Sequence, residues 1–138
     1  MTSRESELLS AVPNQLFIGG QWVDAEEGKT LDVFDPSTGE VIRRIADASP
    51  SDGIRALDAA VAAQEAWAAT APRERSEILR RAFDLVQARK EDLALLMTLE
   101  MGKPLAEARG EVAYGGEFLR WFSEEAVRIT GRYGMNPE

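Results

Sequence analysis

The chain has 138 residues, 44% of them apolar and 29% charged, which fits one ordinary globular domain; its formal net charge of −8 argues against a general binder of nucleic-acid phosphates. It holds no Cys and no His, which excludes disulfide frameworks, thiolate nucleophiles, imidazole bases and nearly all zinc sites. No apolar run approaches the length needed to cross a bilayer, and the opening MTSRESELLSAVPNQ lacks the apolar centre of a secretory signal, so the expected location is cytoplasmic.

Residues 1–15 are polar, rich in Ser and Glu, and read as a disordered leader. Leu16 to Val23 mixes aromatic and β-branched residues around Gly19-Gly20, a strand with a turn or bulge. Asp24 to Lys29 reads as a hairpin connection to a returning strand at Leu31 to Asp35. Asp35-Pro36-Ser37-Thr38-Gly39 is a turn, because Pro presets φ and Gly accepts a positive one, and Glu40 to Ala46 is a third strand. So few strands have too little apolar face to stand alone in water and need another surface to lie on.

Ser49 caps the first helix of the main body, with Pro50 in its first turn and Asp52 placed favourably near its positive end. Ile54, Leu57, Val61 and Ala68 form its apolar face. A second helix spans about Arg73 to Arg89 with the stripe Ile78, Leu79, Ala82, Phe83 and Val86. Its arginines are interleaved with Glu74, Glu77 and Asp84, so a solvated face with i,i+4 pairs is preferred to a basic patch. Lys90 to Met101 continues as helix with Leu93, Leu96 and Met97 inward, and Glu100 extends that stripe toward the core, with Lys103 or an arginine as its partner.

Gly102 ends that helix at a position wanting positive φ, and Pro104 fits the first turn of the next. A long helix then runs from Leu105 to Ile129 with apolar or small residues at Leu105, Ala108, Val112, Gly115/Gly116, Leu119, Phe122, Ala126 and Ile129. The glycine pair costs helix stability and suggests close approach of another backbone. Beside this stripe lies a second one, Tyr114, Phe118 and Trp121. Taken on the residues alone, core packing is preferred for these rings, and the wall of an apolar channel is the alternative. The last residues, Gly131 to Glu138, look like the approach to another element.

Chemistry is scarce. There is no GxGxxG or GxxxxGK[ST] loop to cradle phosphates, and adjacent carboxylates such as Glu124-Glu125 point apart on a helix. A Ser or Thr nucleophile has no His to activate it. No catalytic, cofactor-binding or metal-binding residue can be assigned.

The ordered set LFIGGQWV, FDPSTGEVI, AVAAQEAW, PRERSEILRRAFDLV, TLEMGKPLAEARGEV and FLRWFSEEAVRITGRY resembles the amino-terminal part of NAD(P)-dependent aldehyde dehydrogenases, and most of all the succinate-semialdehyde group. The resemblance implies an α/β enzyme several times longer than this chain. Residues 16–138 would be the incomplete amino-terminal part of its cofactor-binding domain: an antiparallel β ribbon, then about four helices, the last one long. Such enzymes use a cysteine nucleophile, pass hydride to the nicotinamide of NAD or NADP, and hydrolyse the thioester with a glutamate-activated water, all on parts of the sequence this chain lacks. The resemblance also implies a small aldehyde substrate, a homo-oligomer built through strands absent here, and no nucleic-acid or membrane partner. It places Phe118 and Trp121 on the wall of a substrate tunnel. The expectation is a chain that is inert by itself and binds no cofactor tightly. The rival is a non-catalytic helical interaction module pairing with a separate catalytic chain.

Overall fold

A computed structural model describes residues 2–131, as two antiparallel strand pairs and five helices, the last one long. Strands β1 (Leu16–Ile18) and β2 (Gln21–Val23) form a hairpin closed by Gly19-Gly20, both at positive φ, the backbone that a two-residue hairpin turn requires. The expected single strand is therefore two. Strands β3 (Thr30–Phe34) and β4 (Val41–Ala46) form a separate ribbon with a register shift at Val33/Phe34. Asp24 to Lys29 consequently joins two ribbons and does not close a hairpin. The Asp35–Gly39 turn is built as the sequence suggests: the Asp35 carboxylate accepts from the Ser37 N–H and hydroxyl at 2.7 Å each, and Gly39 has φ +74°. These Ser37 donors hold the Asp35 carboxyl below its usual range.

The leader reading is corrected. Helix α1 (Ser3–Ala11) starts in a reciprocal cap, with the Thr2 hydroxyl accepting from the Glu5 N–H and the Glu5 carboxylate accepting from the Thr2 N–H. Leu9 is buried, Arg4 meets Asp92 at 3.5 Å, and the Arg43 guanidinium donates to the carbonyls of Leu9 and Val12 at the helix end. A polar segment folds here because long-range partners meet both its ends.

Helix α2 (Pro50–Ala69) and helix α3 (Pro72–Ala88) follow the expected boundaries within a residue or so. Arg89 (φ −109°, ψ 15°) breaks the chain between α3 and α4 (Lys90–Met101). Helix α5 (Leu105–Glu125) is shorter than expected and passes into a 3-10 turn at Ala126–Arg128. The expected lead-in to another element lies, beyond Gly131, outside the described residues.

The core lies where α3, α4 and α5 meet. Ala94, Ala108 and Val112 are buried there, with Val86, Met97 and Leu105 packed against them. Two alanines facing each other let α4 and α5 approach closely, and Arg109 clamps the pair from outside by a two-pronged contact to Glu91 at 2.8–3.0 Å. That contact lowers the Glu91 pKa and raises that of Arg109. Gly116 serves the α3 contact, since a Cβ there would meet Gln87 Nε2 at 3.2 Å and Val86 Cγ1 at 3.5 Å. The neighbour is thus a set of side chains, not a second backbone, and Gly115 faces open space. The inward line of α5 is Ala108, Val112, Gly116 and Ser123, one residue round from the expected Phe122, which is exposed. On α4, Ala94 and Leu99 are the buried positions, Glu100 is exposed, and Lys103 pairs with Glu111.

Gly102 ends α4 at φ +74°, and a Cβ there would sit 3.0 Å from Pro36 Cγ. Both left-handed backbone and close approach of the β3–β4 turn require glycine. Replacing Gly102 by Val is expected to destabilise the fold by about 2 kcal/mol, read as loss of far-UV circular dichroism at lower urea concentration.

Asp52 is the one large side chain wholly buried among the described residues. Its carboxylate accepts from the Ser49 N–H at 2.9 Å, the Ser49 hydroxyl at 3.0 Å and the Glu26 N–H at 3.2 Å, with Arg55 at 3.5 Å. The Ser49 N–H foremost, then the Glu26 N–H, hold its pKa below the usual carboxylate range against the opposing effect of burial. A carboxyl depressed on folding adds stability that is present above its unfolded pKa near ~4 and is lost as pH falls further. With no His in the chain, stability should be flat from about pH 5 to 8 and decline below about pH 4. Asp52→Asn should soften that acid limb, which far-UV circular dichroism against pH would record.

Candidate functional site

One concavity is lined almost wholly by aromatic rings. Tyr114, Glu117, Phe118, Trp121 and Phe122 of α5 border an open space of about 330 Å³. Residues at i, i+4 and i+7 lie one above another on a helix, and this spacing stacks Tyr114, Phe118 and Trp121 on one face. The Tyr114 and Phe118 rings meet edge to face at 5.0 Å and 87°, a favoured aromatic geometry that holds both in place. Glu117 pairs with Arg120 at 2.5 Å, one helical turn along.

Core packing, preferred on the residues alone, is not what these rings do. Tyr114 is 67% exposed, Phe118 48% and Trp121 62%. Phe122, assigned by its spacing to the core stripe, joins them at 54%. The signal that could have found it is Gly116: a helix that uses a glycine to admit α3 turns its neighbours at Phe118 and Phe122 outward. Phe118 and Trp121 are thus brought together with two further rings and one charge pair. Such a surface can hold an apolar or partly apolar small molecule if a second wall closes it.

Glu117 and Arg120 are paired to each other, and the exposed hydroxyl of Tyr114 is the group on this face nearest to a nucleophile. Among the described residues no group of three metal-ligating side chains occurs, and no helix is long and apolar enough to cross a membrane.

The residues present do not fit a dinucleotide. The connection from β4 into α2 has the strand-to-helix form that phosphate cradles use, but Asp47-Ala48-Ser49 contains no glycine. The α2 N-terminus is already filled by the Asp52 carboxylate, with Glu26 bonded to Ser51 beside it, and two acids there repel a phosphate. The positive-φ glycines from Gly19 to Gly102 sit in hairpin and loop turns and at a helix end.

The sequence profile described as the aldehyde dehydrogenase family matches residues 22–137. A succinate-semialdehyde dehydrogenase of Paenarthrobacter nicotinovorans is 70% identical over 98 residues, 71% of this chain and 22% of that protein. A glutarate-semialdehyde dehydrogenase of Pseudomonas aeruginosa is 50% identical over 117 residues, 85% of this chain and 24% of that protein. Among solved structures, the succinate-semialdehyde dehydrogenase of Burkholderia pseudomallei superposes with a TM-score of 0.89 at 45% identity, covering 94% of this chain and 27% of that one. The chain spans about a quarter of the length of the relatives it matches.

Proposed function

The chain belongs to the aldehyde dehydrogenase family, and from that premise we propose that it is the amino-terminal quarter of an NAD(P)+-dependent enzyme oxidising a short aldehyde that carries a carboxylate at its other end, succinate semialdehyde first. The observation that carries this is the 70% identity to a succinate-semialdehyde dehydrogenase. The glutarate counterpart at 50% differs in its named substrate by a single methylene, which supports a four- or five-carbon semialdehyde as the class. One methylene in an apolar pocket is worth only about 1–3 kcal/mol, so the choice within the class is modest.

In this reading the ring-lined face of α5 is one wall of the passage by which the aldehyde reaches the reacting centre, and Phe118 and Trp121 are its contacts. The nucleophile, the water-activating carboxylate and the dinucleotide site belong to the part of the family's fold that this chain does not contain. The absence of any Cys from the sequence agrees with that division. Oligomeric assembly would likewise rest on that part. A self-sufficient interaction module is disfavoured, because such a protein would close its own apolar surface, and among the described residues twenty large apolar side chains stand exposed.

The test grafts this chain into the Paenarthrobacter enzyme in place of the segment it matches. The graft should oxidise succinate semialdehyde. Phe118→Ala and Trp121→Ala should each raise KM roughly ten-fold while kcat changes much less, because they remove ground-state and transition-state contact alike. A folded graft that oxidises other aldehydes but not semialdehydes would overturn the substrate assignment.

A further inference from the structure

We propose that the Ile54, Leu57 and Val61 stripe of α2 is the surface by which this chain docks onto the body of an aldehyde dehydrogenase subunit, the three quarters of the fold it does not contain. The proposal rests on the family reading above, but concerns a different face from the aromatic wall.

Helix α2 is twenty residues long, yet Asp52 is its sole buried residue. Its contact with the rest of the chain is confined to one side: a Cβ on Gly19 of the β1–β2 turn would lie 3.9 Å from Ala59, and Asp52 is tied to the Glu26 N–H. The opposite side carries Ile54, Leu57 and Val61, at i, i+3 and i+7, each about 60% exposed. The small residue thus faces the chain and the large apolar ones face away, the reverse of a helix whose only partner is its own chain.

In proteins most helical stability comes from packing an apolar face against a partner. Yet α2 has a definite place. The superposition on the Burkholderia structure covers 94% of the chain, too much to leave a twenty-residue helix out, at a TM-score of 0.89. The helix therefore stands here as it stands in a protein of which this chain covers 27%, although little within the chain holds it there. The remainder of that fold is the occupant that accounts for both facts.

The area agrees. The chain exposes 10133 Å², whereas a compact monomer of 15.2 kDa exposes about 7,100 Å². The excess of roughly 3,000 Å², summed over every open face of the chain and not the α2 stripe alone, is enough for one partner's side of an obligate interface.

The experiment uses the graft and the chain side by side. Leu57→Asp with Val61→Asp should leave the far-UV circular dichroism of the isolated chain unchanged, since both positions are in water there. In the graft the same pair buries two unpaired carboxylates and should lower Tm on the order of 10 °C. Ala62→Asp, about a third of a turn round the helix, should leave the Tm of the graft within a few degrees, and Phe118→Ala should alter KM without lowering Tm. A graft whose Tm is unmoved by the stripe pair, or moved as far by Ala62→Asp, would overturn the docking surface. A graft that loses Tm with the stripe pair but never oxidises a semialdehyde supports the docking surface and defeats the substrate reading.

Discussion

Purified alone, the 138-residue chain should bind a hydrophobic-surface dye strongly, self-associate as its concentration rises, and unfold over a broad thermal range. The reason is the balance of its surfaces. Among the described residues Leu9, Ala25, Ala94, Leu99, Ala108 and Val112 are the buried apolar ones, and three of the six are alanines. Against them stand, among the described residues, Phe17, Trp22, Trp67, Phe118, Trp121 and fifteen more large apolar side chains in water. Monomeric proteins seldom expose contiguous apolar patches beyond a few hundred Å², and such patches associate. The dye signal per chain should exceed that of an intact dehydrogenase of this family several-fold, although the intact protein is the larger. A sharp two-state transition with negligible dye binding would show that the chain closes its own core, and would favour the interaction-module reading over the one proposed.

Much of this architecture can be read from the sequence because it is set locally. The Ser49-Pro50-Ser51-Asp52 start of α2, the glycine end of α4 at Gly102 and the Asp35–Gly39 turn each depend on a few neighbouring residues, and each is found as expected. What escaped depends on distant partners. Helix α1 looks polar and unsupported until Arg43 and Asp92, far along the chain, reach its two ends. Glu100 fits the helical period of an inward position, but the period cannot say that α4 turns Ala94 and Leu99 inward instead.

The aromatic stripe shows the same limit from the other side. Spacing places Tyr114, Phe118 and Trp121 on one face, and the structure agrees, but spacing is silent about what that face meets. Apolar periodicity reports that a surface wants cover. It does not report whether this chain supplies the cover. Phe122 was misplaced for a related reason, since the inward line of α5 is set by how α3 seats over Gly116, a tertiary contact.

The second large effect is a complete absence of turnover by the chain alone. Oxidising an aldehyde to an acid requires a nucleophile or activated water, an acceptor for hydride and a base for the released proton. Cys and His are missing from the sequence; among the described residues, the one strand-to-helix junction that could receive phosphates is filled by Asp52, and the carboxylate beside the exposed rings, Glu117, is paired with Arg120. On the reading proposed here, what the chain offers is a wall and a docking face. The most direct measurement is the absorbance of reduced nicotinamide when purified chain is mixed with succinate semialdehyde and either NAD+ or NADP+. The expected trace is indistinguishable from one without protein, even at high chain concentration. Cofactor reduction that scales with the amount of chain, and that vanishes with Trp121→Ala, would contradict the division of labour proposed here.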